Sequence, residues 1–461
     1  MLRISWKISV LLVLVALLQA CASQPAEVAR QAAEIAAKAA PKPKKLSGPK
    51  IQHWQTRNGM AVYFVPLHKL PMIDLRVTFS AGSARDNGVP GLAKLANAML
   101  PQGAAGMDTD KIAQSFENVG AQFGNGSLRD MAWLSLRSLS GHEYLEPALD
   151  TFTKILWSPD FPAKDFERLK KQTLIALKAQ KAQPGSIASK AFFKALYGDH
   201  PYGSPPLGTE QSVKAMKLGQ LKDFYRRYYV AANGLIALVG DIDRAAAEQL
   251  AERVSGGLKA GPKPPPIPPA KPVTKARRID IPFPSKQAHV LIGNVGIERG
   301  NPDYFALYLA NHPLGGNGLS SRLSKEIREK RGYVYSIYSY FSPMASAGPY
   351  VVGLQTRGSQ AEEAIKLTTD EVRNYLRNGP SDEEITASKR NITGSFPLRI
   401  ASNADIVSYL AVIGFYGLPL DYLDTFNGKI EAIDKKTLLD AFRRHIDPDA
   451  FITVVVGGEK G

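Results

Sequence analysis

Two stretches, LKDFYRRYYVAANGLIALVGD at Leu221–Asp241 and LLDAFRRHIDPDAFITVVVGG at Leu438–Gly458, show that this chain is built twice over. Laid together without a gap, Leu221, Asp223, Arg226, Arg227, Val239 and Gly240 face Leu438, Asp440, Arg443, Arg444, Val456 and Gly457. Each copy spells an amphipathic helix, a turn and an apolar strand that closes on glycine. A shared basic helix end could arise by chance; a strand and its glycine at the same offset are much harder to obtain that way.

Outward from these endings, the chain divides by composition. A run with seven prolines in twelve residues, GPKPPPIPPAKP at Gly261–Pro272, separates two blocks, 47–258 and 276–461, and marks residues 259–275 as a semi-rigid linker. Residues 22–46 are rich in Ala, Lys and Pro and read as a tether that buries no core. Before them, MLRISWKISVLLVLVALLQA places Arg3 and Lys7 ahead of a short apolar core, as in a signal peptide covering residues 1–21. The sole cysteine, Cys21, follows Leu18-Gln19-Ala20, which resembles a bacterial lipobox in which the thiol takes the lipid. A single thiol makes no internal disulfide. The expectation is a lipid-anchored protein on the periplasmic side of a bacterial membrane, with Ala22 rather than Asp after the cysteine pointing to the outer membrane.

The 461 residues are 44% hydrophobic and 22% charged, a globular composition long enough for more than one core. The net charge of +16 is spread along the chain and suits acidic peptides or an anionic membrane; export argues against nucleic acid. In the first block, MAVYFVPL and IDLRVTFSAG read as a hairpin pair, followed by helices near 90–100, 108–119, 143–156 and 163–182. In the second, HVLIGNVG and PYVVGLQT read as strands, with helices near 302–313, 319–330, 359–378 and 382–394. Ser381 and Glu384 have the spacing of a capping box at the start of the last of these. Each block is expected to be α+β, a mainly antiparallel sheet against helices.

The segments GVPGLAKLANAMLPQGA, NVGAQFGNGSLRDMAWLSL, SPDFPAKDFERLKKQTLIALKAQ, LGGNGLSSRLSKEIREKRGYVYSIYS and LDYLDTFNGKIEAIDKK follow one another in this order. Together they resemble the insulinase-type (pitrilysin, M16) peptidase family in its short form of two homologous LuxS/metalloenzyme-like domains. In active members of that family, the helix at Gly91–Leu100 carries HxxEH: histidines at i and i+4 share a helical face and one zinc, and the glutamate acts on the zinc-bound water. Here Lys94 stands at the first histidine, Asn97 at the glutamate and Ala98 at the second histidine, and Ala176 aligns with the third ligand, a glutamate on a later helix. An ammonium repels a divalent cation and a methyl group offers no lone pair, so no metal is expected in this chain. The seven histidines (His53, His68, His142, His200, His289, His312 and His445) are too scattered to form a replacement within one helix.

The second block keeps its distinctive segment. LGGNG lacks the lysine spacing of a P-loop and reads as a turn into a helix capped by Asn317 or Ser320, with a strand beginning near Tyr333. The resemblance implies that Arg328 and Tyr335 hold substrate and stabilise charge on its scissile carbonyl. Arg328 would otherwise be a solvated helix-end cation and Tyr335 a packed strand aromatic. Family members of this size often work in pairs in which a companion lacks HxxEH. The resemblance therefore implies a non-catalytic subunit, held to the membrane through Cys21, that pairs with an HxxEH-bearing homologue carrying the zinc. Together they would bind extended peptides by strand addition at an edge in Phe123–Leu128. The other reading is a structural or peptide-holding protein with no part in hydrolysis. An independent protease is not supported, since no GxSxG elbow appears and Cys21 is committed to the lipid.

Overall fold

Both sheets follow one strand plan, and this is the clearest sign of the duplication. The computed structural model describes residues 48–458, so the signal peptide, the tether and Cys21 lie outside the described residues. The first half contains strands β1 (Gln52–Gln55), β2 (Ala61–Pro66), β3 (Met72–Phe79), β4 (Gln122–Ser127), β5 (Ala132–Leu139) and β6 (Gly234–Gly240). Its helices are α1 (Leu92–Met99), α2 (Thr109–Glu117), α3 (His142–Trp157), α4 (Ala163–Gln180), α5 (Pro184–Tyr197), α6 (Glu210–Ala215), α7 (Leu218–Tyr228) and α8 (Arg244–Gly256). The second half contains β7 (Arg277–Ile281), β8 (Gln287–Val295), β9 (Val334–Phe341), β10 (Pro349–Arg357) and β11 (Ile452–Gly457). Its helices are α9 (Tyr304–Asn311), α10 (Ala361–Asn378), α11 (Asp382–Ser395), α12 (Asn403–Tyr416), α13 (Tyr422–Ala432) and α14 (Lys435–His445).

The first sheet has the order β1-β2-β6-β3-β5-β4 and the second β9-β10-β8-β11-β7. Read from the edge strands β4 and β9, the two orders coincide, and each holds one parallel pair, β2 with β6 and β7 with β11. The glycines that close β6 and β11 have the same purpose. A Cβ on Gly240 would lie 2.3 Å from the Met72 carbonyl oxygen at the start of β3, and one on Gly457 would lie 2.6 Å from that of Gln287 at the start of β8.

The expected hairpin between 60–67 and 73–82 does not form. The strand Gly234–Gly240 inserts between them, parallel to β2 and antiparallel to β3. Its run of apolar residues is buried on both faces, which suits it to a central position that neither neighbour could take. The helices fall where the periodicity puts them, and the capping box at Ser381 and Glu384 is made in both directions. The helix over Arg322–Glu329 is widened into a π-helical segment, and its cap is Ser321 rather than Asn317 or Ser320: the Ser324 amide donates to the Ser321 hydroxyl and the Lys325 amide to its carbonyl.

Each half has its own core, and each half also lends a helix to the other. From the first half, α5 buries Ala188, Phe192 and Leu196 against Val454 and Val456 of β11. From the second, α12 buries Ile406, Val407, Leu410 and Ala411 against Val65 of β2 and Leu235, Ala237 and Val239 of β6. Each sheet is thus covered on its second face by a helix from the opposite half, which binds the described chain from Pro49 onward into one compact unit. The proline-rich linker is laid along this unit by hydrogen bonds: the Pro268 carbonyl lies 2.8 Å from Nε2 of His200, and the Ala270 amide donates to the Ser346 hydroxyl at 2.8 Å.

Candidate functional site

The site begins with α1, whose start is fixed by a buried carboxylate. Gly91 takes a left-handed conformation, φ 93°, and a Cβ there would lie 2.9 Å from the Leu207 carbonyl oxygen. Asp86 then accepts the Gly91 and Ala93 amides, each at 2.8 Å, and so satisfies donors that a helix start leaves open. Burial pushes the Asp86 carboxyl up to about 7, against the pull of the two amides. With a folded value above the unfolded 3.8, this group contributes stability that is present below about pH 4 and lost as the pH rises through about 7. Between about pH 4 and 7, urea midpoints are expected to fall more, or rise less, in the native sequence than in Asp86→Asn, the difference being the Asp86 contribution.

The inner face of α1 packs beneath the sheet through Leu92, Leu95, Ala96 and Met99. Asn97, only 2% exposed, is turned inward and fully engaged. Its amide donates to the Trp133 carbonyl at 3.3 Å and the Tyr229 hydroxyl at 3.2 Å. In return, Asn125 of the edge strand β4 donates to both the Asn97 carbonyl at 2.8 Å and its side-chain oxygen at 3.0 Å. Burial raises the Tyr229 phenol above its ordinary range, which keeps it a neutral partner. The residue at the position of the family's glutamate is therefore a strut between helix and edge strand.

Lys94 is exposed, Ala98 is half-buried, and Ala176 is exposed on α4, the helix packed against α1. Positions 94, 97 and 98 lie on α1 and position 176 on α4, and their side chains do not fit zinc: an ammonium, two methyl groups and an amide already bonded inward. Among the described residues no group of three His, Cys, Asp or Glu is placed to hold a metal ion.

In the second half, Arg328 and Tyr335 do meet. Nε of Arg328 donates to the Tyr335 carbonyl at 3.0 Å, at the bulge where β9 shifts register between Val334 and Ser336. The Tyr335 ring stays 53% exposed, and its hydroxyl lies 3.4 Å from Nε of Arg357. Among the described residues no hydrogen bond or ion pair joins either residue to α1 or α4. The strand Gln122–Ser127 lies at the free edge of the first sheet, paired only with β5. Sequence reasoning missed Asn125 and Tyr229, the partners of Asn97. The signal available was the recurrence of Leu95-Ala96-Asn97 as Leu309-Ala310-Asn311 in the second half.

This is a duplicated α+β scaffold of the zinc-peptidase kind whose ligand-bearing helix has been rebuilt as a structural one. The family model for insulinase (peptidase family M16) matches residues 68–210, and that for the peptidase M16 inactive domain matches residues 215–392, so the chain belongs to the M16 peptidase family. The crystal structure of a peptidase M16 inactive domain from Pseudomonas fluorescens is similar at TM-score 0.87 and 43% identity, over 89% of this chain and 98% of that one. The non-peptidase homolog YmxG of Helicobacter pylori is 26% identical over 404 residues, 85% of this chain and 90% of that one. An uncharacterized zinc protease of Streptomyces coelicolor is 33% identical over 236 residues, 49% of this chain and half of its own length. With Lys94, Ala98 and Ala176 in place of ligands, this chain is a catalytically incomplete member of the family.

Proposed function

We propose that this protein is the non-catalytic subunit of a peptidase pair, lipid-anchored through Cys21 on the periplasmic side of a bacterial outer membrane, and that it holds extended peptides for a zinc-bearing HxxEH homologue. The observation that supports the reading is an asymmetry between the halves: the positions aligned with the metal ligands carry no ligand, while Arg328 and Tyr335 are present, the Arg328 side chain held on the Tyr335 backbone carbonyl and the Tyr335 side chain exposed. The free edge of β4 offers unpaired backbone groups for an incoming strand, the usual way an extended peptide is gripped. The zinc belongs to the partner, and this chain contributes binding and orientation.

The pair is tested by mixing. The lipid-free chain combined with an HxxEH homologue encoded beside it is expected to cleave unstructured peptides at least about tenfold faster than the homologue alone, in a chelator-sensitive way. Equal rates with and without this chain would remove the helper role and leave a purely peptide-holding protein. Metal-dependent hydrolysis by this chain alone would overturn the reading entirely.

A further inference from the structure

The internal repeat points to a second site. Leu95-Ala96-Asn97 of α1 recurs as Leu309-Ala310-Asn311 of α9, and the two asparagines do the same work. Asn311 donates to the Ser339 carbonyl at 2.7 Å and accepts from the Ser339 hydroxyl at 2.6 Å, tying α9 to the edge strand β9 as Asn97 ties α1 to β4. The residue after each is Ala98 in one copy and His312 in the other. The second half therefore has its own version of the place where active relatives hold their metal. In this chain that place opens into a cavity of about 460 Å³, within the range of ligand pockets.

The lining of this cavity is one-sided in charge. Arg299 lies over the Tyr304 ring at 4.7 Å and Arg399 over the Tyr308 ring at 6.0 Å, and the two rings are themselves stacked one helical turn apart at 6.2 Å. Arg399 also donates to the Tyr308 hydroxyl at 2.8 Å. No Asp or Glu lines the cavity, and the groups acting on both guanidiniums are tyrosines rather than carboxylates. His312 brings neither a negative charge nor a metal site: Nδ1 lies 2.9 Å from the Ser388 hydroxyl, Nε2 lies 3.2 Å from the Asn391 side-chain oxygen, and burial first, then Arg399, lowers its affinity for a proton. Asn391, whose side-chain oxygen faces His312, also lines the cavity and brings no charge. Two cations held on aromatic walls, with no anion among the lining residues, form a receptor for an oxyanion.

We propose that this cavity binds the carboxylate of an acidic peptide segment. Two observations favour a chain over a small free anion. The cavity is bordered by Tyr340, 44% exposed on the free edge strand β9, and the same edge carries Tyr335 beside Arg328 further along. An extended peptide engaged near Arg328 can therefore pass along this edge to Arg299 and Arg399. The inference deepens the peptide-binding reading and rests on it.

The test is fluorescence anisotropy on the lipid-free chain with a fluorescein-labelled extended decapeptide carrying three glutamates and its twin carrying three glutamines. The glutamate peptide is expected to bind at least about tenfold tighter at low salt, as a charge-assisted bond adds a decade or more. Arg399→Gln, at an exposed position, and Arg299→Gln should each bring the ratio of the two affinities close to one, while Lys164→Gln, which removes an exposed cation of the first half, leaves it unchanged. Equal binding of the twins, or a ratio that survives both variants and so reflects only the net charge, overturns the carboxylate site and leaves the peptide-holding reading standing. Failure of both peptides to bind overturns both.

Discussion

Asp130→Ala is expected to cost about 3–5 kcal/mol of stability, because it leaves several buried donors without an acceptor at about 1–3 kcal/mol each. The carboxylate is 3% exposed between β4 and β5, and it gathers three distant segments. It accepts from the Tyr202 hydroxyl at 2.5 Å, the Tyr416 hydroxyl at 3.0 Å and the Ala345 amide at 2.8 Å. Tyr202 comes just after the exchanged helix α5, Tyr416 is the last residue of the exchanged helix α12, and Ala345 lies in the loop from β9 to β10. Burial raises both phenols far above their ordinary range, so they remain donors at any working pH. Alanine leaves two phenols and an amide without an acceptor, each costing about 1–3 kcal/mol when buried. Equilibrium unfolding in urea should show this loss, with Asp130→Asn intermediate because one acceptor oxygen survives. A loss below about 1 kcal/mol would mean that water replaces the carboxylate and that apolar packing alone joins the halves.

Arg328→Ala in the reconstituted pair is expected to lower kcat about 10²–10³-fold, the usual effect of deleting a donor to a developing oxyanion. Nε of Arg328 is spent on the Tyr335 carbonyl, which fixes the direction of the side chain and leaves its two terminal nitrogens for a substrate. The expected signature is therefore a fall in kcat with KM little changed. Arg328→Lys keeps the charge and loses the fork, so it should recover only part of the rate. Full turnover in Arg328→Ala would end the helper role of this residue. Unchanged urea midpoints in the same variants separate loss of chemistry from loss of fold, since a partly exposed side chain making one backbone bond contributes little to stability.

Much of this molecule was legible residue by residue. Helix periodicity located α1–α4 and α9–α11, because a buried face imposes its spacing locally whatever covers it. Lys94, Ala98 and Ala176 could be compared with metal ligands only through the family resemblance; given that alignment, an ammonium and two methyl groups offer no lone pair that packing could supply. The role of Asn97 was not legible: an asparagine in a helix can be a ligand, a cap or a strut, and only Trp133, Tyr229 and Asn125 arriving from other elements settle which. Arg299 and Arg399 were hidden for the same reason. Among 58 Lys and Arg, only the third dimension shows which two share one cavity without an acid.

The sequence alone determined the duplication and the helices, both of which depend on local pattern. Tertiary structure alone decided that Gly234–Gly240 divides β2 from β3, that α5 and α12 cross to the opposite sheets, and that Asp130 joins what they bring together. Apolar spacing states that a face must leave water; it does not state which surface, a hundred or more residues away, will cover it.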